Sequence, residues 1–201
     1  MQEPKKIVEL NPPFAERKIL LHACCAPCSL AILECLLQNG FEPVVFYFNP
    51  NIFPHQEYEK RKAELTRHCK ELGVEFIDGD CGRDEWLAAT SPYKCEPERG
   101  ARCLECFKIR LCASAKKAGE LGLKIFTTTL SSSRWKSFGQ ICAAAKFAEE
   151  KIGGAKFWDF NWKKFGLSER RAELLKSGNY YNQTYCGCEY SMRNSAPEKS
   201  V

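Results

Sequence analysis

The sequence holds no apolar stretch long enough to cross a bilayer as a helix, so no membrane-spanning helix and no membrane partner are expected. It also lacks a recognisable leader, because Met1-Gln2-Glu3-Pro4-Lys5-Lys6 is polar and leads into no apolar core segment. Internal repeats, low-complexity tracts and long linkers are missing too. One compact domain is therefore expected, with residues 1–155 as an α/β metal-binding core and 156–201 as a C-terminal extension packed on it. No strong charge excess is present. A net charge of +5 and an isoelectric point near 8.5 permit a nucleic-acid partner without demanding one.

What the sequence does have is cysteine, thirteen in 201 residues. A disulfide framework belongs to short secreted chains, and the missing leader argues for a reducing cytoplasm in which thiols stay free. The cysteines cluster. Cys24, Cys25 and Cys28 follow the apolar run 18–22, Cys103 and Cys106 open a helical pattern, and Cys186-Gly187-Cys188 lies between Tyr185 and Tyr190. Thiolates are soft ligands that select zinc, copper(I) or iron–sulfur clusters, so sequence-distant groups of them suggest a metal centre assembled by the fold.

Strands are expected at 18–22, 43–48, 74–77 and 124–130, with helices at 30–37 (capped by Ser29), 58–72 and 103–121, and another introduced by Ser131-Ser132-Ser133 and ending near Lys151. Alternation of this kind predicts a doubly wound, mostly parallel sheet, which binds ligands beyond the carboxyl ends of its strands. The first two cysteines, the Asn49-Pro50-Asn51 turn and the segment 127–133 all fall at that edge.

Cys103 and Cys106, at i and i+3, share one helical face near a helix N-terminus, where the dipole favours thiolates. Four thiolates from two elements suit a [4Fe–4S] cluster or a structural zinc. The contiguous Cys24-Cys25 pair fits a cubane better, since each thiolate can take a different iron. Cys28 reads as a further ligand, a nearby redox thiol or a core residue, and His22 as an orienting group or a buried structural histidine. Gly187 allows Cys186 and Cys188 to share one ion or close a strained, redox-active disulfide. Cys35, Cys69, Cys112 and Cys142 read as core or partly buried residues within helices. Cys81 and Cys95 sit in loop-like segments.

The motifs HACCAPC, FNPNIFPHQEY, RCLECF, TTLSSS and QTYCGCEYS, in this order between about Lys18 and Met192, resemble those of the cobalamin-independent epoxyqueuosine reductases. The resemblance implies an iron–sulfur oxidoreductase that reduces epoxyqueuosine at the wobble position of tRNA to queuosine. It implies a [4Fe–4S] cluster on Cys24, Cys25, Cys103 and Cys106, with Cys186 and Cys188 as a redox-active pair or ligands of a second, mononuclear iron. It also implies an external electron donor and no cobalamin. The fold implied is that of the adenine-nucleotide α-hydrolase-like proteins, a Rossmann-like group that includes tRNA thiolases. Cysteines here replace the glycine- and serine-rich phosphate loop of those proteins, which argues against ATP. A cluster-dependent tRNA thiolase and a non-catalytic zinc protein that binds RNA are the competing readings.

For a single-stranded RNA partner, Trp135, Trp158, Trp162, Tyr180 and Tyr181 are candidate stacking faces. Arg134, Lys136, Lys163, Lys164, Arg170 and Arg171 are candidate phosphate contacts, and Asn49 and Asn51 candidate hydrogen-bonding partners of the substrate.

Overall fold

The computed structural model describes residues 8–79 and 82–192. Five strands, β1 (Lys18–His22), β2 (Glu42–Tyr47), β3 (Glu75–Asp78), β4 (Ile125–Thr128) and β5 (Lys156–Phe157), form one sheet in the order β3-β2-β1-β4-β5, every pair parallel. The helices are α1 (Ala26–Gln38), α2 (His55–Leu72), α3 (Arg83–Thr90), α4 (Ala101–Glu120), α5 (Phe138–Ile152), α6 (Leu167–Ser177) and the single turn α7 (Glu189–Met192).

The strands are apolar because both faces are covered. Ile19 and Leu21 point into a core shared with α1, α2 and α6, while Leu20 points into a second core shared with α4 and α5. The strand order reverses between β1 and β4. The chain leaving β1 therefore carries Cys24 and Cys25 into the crevice where a doubly wound sheet binds its ligand.

Several local expectations are corrected. Helix α1 begins at Ala26, with Cys25 at the N-cap and Pro27 in the first turn, where the fixed φ of proline suits a helix start. Ser29 lies inside the helix and donates its hydroxyl to the Cys25 carbonyl at 2.8 Å. After β4, residues 129–132 form a 3₁₀ turn, and α5 begins only at Phe138, capped by Ser137. Helix α3 and strand β5 are short and carry little periodic signal, and neither is expected from the sequence. Trp158 and Trp162 are 5% and 1% exposed and pack edge to face at 5.4 Å in the core, so neither presents a stacking surface. Cys81 lies outside the described residues.

Candidate metal and redox centre

The backbone beyond β1 is fixed before any cysteine side chain is placed. His22 is fully buried, and its Nε2 lies 3.1 Å from the Phe48 carbonyl, which can only accept, so Nε2 carries the proton. The Thr128 hydroxyl then donates to Nδ1 at 2.7 Å. Burial, reinforced by the Arg110 charge, pushes this histidine down to about 3. It is a neutral strap joining β1 to β4 and the end of β2. Asn49 is buried with both ends engaged, donating to the Ala23 carbonyl at 2.9 Å and accepting from Arg110. Asn51 is also buried, and its Oδ1 has no partner among the described residues.

The sulfurs of Cys24, Cys25 and Cys28 lie within 4.8 Å of one another, all buried, and no other group of three ligands converges as tightly among the described residues. Cys24 and Cys25 are 3.7 Å apart, which the N-cap geometry of Cys25 permits by breaking the strand before the second thiol. Hydrogen bonds from Cys25 and Cys28 hold the Cys24 thiol well below the ordinary range, with Lys136 and Arg110 adding to the shift. Desolvation pushes Cys25 well up, and the hydrogen bond with Cys24 pushes Cys28 up to about 11. The shared hydrogen bonds thus favour negative charge on Cys24 over Cys25 or Cys28. Gln183 closes the group, donating from Nε2 to Cys25 at 3.0 Å.

Cys103, Cys106, Cys186 and Cys188 form a second, looser neighbourhood linked by mutual electrostatic interaction. Burial raises Cys103, Cys106 and Cys188, the last to about 12. The Cys186-Gly187-Cys188 turn is held against α2 and the preceding loop. The Phe53 amide donates to the Gly187 carbonyl at 2.8 Å, and Arg61 donates to the Cys186 carbonyl at 3.4 Å. The four cysteines at 24, 25, 103 and 106 are thus distributed as two pairs, one grouped with Cys28 and the other with Cys186 and Cys188.

Cations tie the two neighbourhoods together. Arg110, one turn beyond Cys106 on α4, is 1% exposed, and Lys136 is 6% exposed. Burial alone would lower Lys136, but negative charge on Cys186, Cys24 and Cys28 outweighs it and the net shift is upward. Arg110 donates to Asn49 and toward the Cys106 sulfur, and Lys136 donates to the Ser133 hydroxyl. Burying these cations is costly unless negative charge lies near, and the sulfurs around them are the groups that can carry it. Trp86 also donates toward the Cys106 sulfur, and Arg61 is paired with Glu57. A thiolate-bound iron–sulfur cluster is anionic and accepts N–H···S hydrogen bonds, so this donor set fits one.

The family model described as epoxyqueuosine reductase QueH matches residues 19–194. The chain belongs to the QueH family. Among curated QueH proteins, that of Haemophilus influenzae is 43% identical over 93% of this chain and 76% of its own length. That of Acinetobacter baylyi is 40% identical over 97% of this chain and 88% of its own. QueH proteins are oxidoreductases by name, and the reduction step of queuosine biosynthesis is the family's activity. A solved structure described as a predicted subunit of a tRNA methyltransferase from Methanocaldococcus jannaschii aligns with a TM-score of 0.51 at 14% identity. It covers 83% of this chain and 82% of the other, a likeness of fold alone.

Within this QueH chain the other candidates separate clearly. Arg134 is exposed and stacks over the Trp135 ring at 4.9 Å, beside Cys28 and Gln183 in one pocket. Lys136 is buried, so it is not a surface phosphate contact, and Arg170 is spent on a two-pronged bond to Glu34 at 2.7 and 2.8 Å. Tyr180 and Tyr181 pack on α2 beneath Arg67 and Lys60. Cys35 and Cys69 are fully buried, Cys112 and Cys142 half-buried, and Cys95 exposed. Sequence reasoning missed Arg110, Arg61 and Gln183. For Arg110 the signal was present: an arginine four residues after Cys106 lies on the same helical face. For Arg61, within a run of charges on α2, no signal distinguished it.

Proposed function

We propose that this chain reduces the epoxide of tRNA-bound epoxyqueuosine to the cyclopentene of queuosine, in a reducing cytoplasm. In this reading Cys24, Cys25, Cys103 and Cys106 hold a [4Fe–4S] cluster, and Cys186 and Cys188 are a redox pair. The observation that carries it is the pair of buried cations, Arg110 and Lys136, set among the thiols of Cys24, Cys28, Cys106 and Cys186. When bound, the cluster would supply electrons singly from an external donor.

The balance of the reaction favours a dithiol. Turning an epoxide into an alkene breaks two C–O bonds, takes up two electrons and two protons, and releases water. Closing a disulfide between Cys186 and Cys188 releases two electrons and two protons. Cys188, raised to about 12 by burial, holds its proton at neutral pH until it is called for. Lys136 and Arg110 offset negative charge as it builds up around the sulfurs. His22 stays neutral and positions the backbone.

The test is an anaerobic assay with epoxyqueuosine tRNA and a chemical reductant, read by nucleoside mass spectrometry together with iron and acid-labile sulfide analysis. Queuosine formation by an iron- and sulfide-containing protein is the expected result. A zinc-only, colourless preparation with full activity would overturn the cluster, and a thiolated base formed with ATP consumption would overturn the reaction.

A further inference from the structure

Beside the thiol group, a pocket of about 100 Å³ opens to the surface with Cys28 and Gln183 at its inner wall and Arg134, Trp135, Arg171 and Asn182 around it. Among the described residues no carboxylate lines it. Arg171, on α6, uses only Nε, which donates to the Pro27 carbonyl at 2.7 Å, so both terminal nitrogens lack a partner among the described residues. Arg134 makes no side-chain hydrogen bond among them and lies over the Trp135 ring.

The Arg134-Trp135 segment is itself pinned. Arg99 donates to the carbonyls of Arg134, at 2.8 Å, and of Trp135, at 3.4 Å, and Lys163 donates to the Lys136 carbonyl at 3.2 Å. Burial lowers Lys163, and the charges of Arg99 and Lys136 lower it further. Arg99, Arg134, Lys136, Lys163 and Arg171 are therefore gathered on this side.

We infer that this pocket admits a single-stranded nucleotide, with Arg171 and Arg134 gripping its flanking phosphates and Trp135 stacking on a base, so that the base is presented to the thiols behind Cys28. The inference rests on the proposed reaction and adds the entry route and the residues that form it. Guanidinium forks match phosphate oxygens in pairs, and an aromatic face accepts any base, so the combination suits a splayed RNA loop rather than a small anion. Gln183 spans the pocket wall and the thiol group, 3.0 Å from Cys25 and 3.9 Å from Cys28, and so couples pocket occupancy to the reactive sulfurs.

The experiment uses the full-length chain and a fluorescently labelled anticodon stem-loop RNA, with Kd measured by anisotropy across a salt series. A second hairpin lacks the wobble base but keeps its phosphates. Arg171→Gln and Arg134→Gln should each reduce the slope of log K against log salt by roughly 0.7, the value for one single-strand phosphate. Trp135→Ala should weaken binding of the intact hairpin at least about fivefold, as loss of one base–aromatic stack does, and leave the abasic hairpin unchanged. Lys116→Gln, on the exposed side of α4, should match the wild type. Retention of the far-ultraviolet spectrum by each variant separates a binding effect from misfolding. If the arginine and tryptophan variants bind both hairpins as the wild type does, the RNA enters elsewhere and the inference fails. In that case wild-type conversion of epoxyqueuosine tRNA would leave the proposed reaction standing. Failure of the wild type to bind the intact hairpin at low salt also overturns the inference. Binding with no conversion would instead fault the reaction.

Discussion

Arg61 and Glu57, one turn apart on α2, form a buried ion pair at 2.7 Å whose cation also reaches the Cys186 carbonyl. Glu57 is held on its other oxygen by the Tyr181 hydroxyl at 2.9 Å, and the Arg61 guanidinium lies 5.3 Å from the centre of the Tyr185 ring. This pair anchors the segment carrying the second thiol group to a helix of the core. Truncating Arg61 to methionine leaves Glu57 buried without its partner and should cost about 3 kcal/mol of stability in denaturant titration. Iodoacetamide should then alkylate Cys186 faster than in the wild type. An unchanged labelling rate would separate Arg61 from the turn.

Gly187 has φ +109°, and a Cβ there would stand 2.8 Å from Arg61 Nη1 and 3.3 Å from Ile52. Gly187→Ala should therefore cost more than about 1 kcal/mol, through backbone strain and displacement of the guanidinium. Turnover should fall while the visible absorption of the protein persists. Thermal melts and single-turnover assays of the variant check both parts.

Replacing Cys24, Cys25, Cys103 or Cys106 with serine should each diminish the thiolate-to-iron absorption near ~400 nm and the iron content per chain. Cys142→Ser, half-buried on α5, should leave both intact. Full colour in any of the four serine variants would remove that residue from the ligand set.

The Cys186→Ala, Cys188→Ala double variant should retain the cluster spectrum and lose queuosine formation, since a cluster alone delivers electrons singly and the epoxide takes two. Wild-type turnover by this variant would place the second electron elsewhere.

Burial lowers His68, which lies 3.1 Å from the Tyr180 hydroxyl. A base whose folded-state pKa is depressed binds fewer protons folded than unfolded, so it destabilises the fold as pH drops below about 6.5. Stability measured between pH 7 and pH 5 should fall less steeply in His68→Gln than in the wild type.

The α/β alternation was legible because buried parallel strands must be apolar and their crossover helices amphipathic, as β1, β2 and α4 are. The start of α1 was misplaced because serine is a common cap, whereas here Pro27 in the first turn and the crevice geometry move the cap to Cys25. Short elements such as β5, two residues long, depend on their β4 neighbour and leave no local pattern.

By itself the sequence determined the family and where the soft thiols lie along the chain, since three cysteine clusters are a matter of composition and spacing. Only the tertiary structure decided their company. It set Cys28 beside Cys24 and Cys25, drew the Cys186–Cys188 turn toward Cys106, and buried Arg110 and Lys136 among them. The reason is physical: a charged residue in a helical run looks solvated until the packing of distant elements removes the water around it. The pairing of these buried cations with the thiols arises from that packing, which no local pattern records.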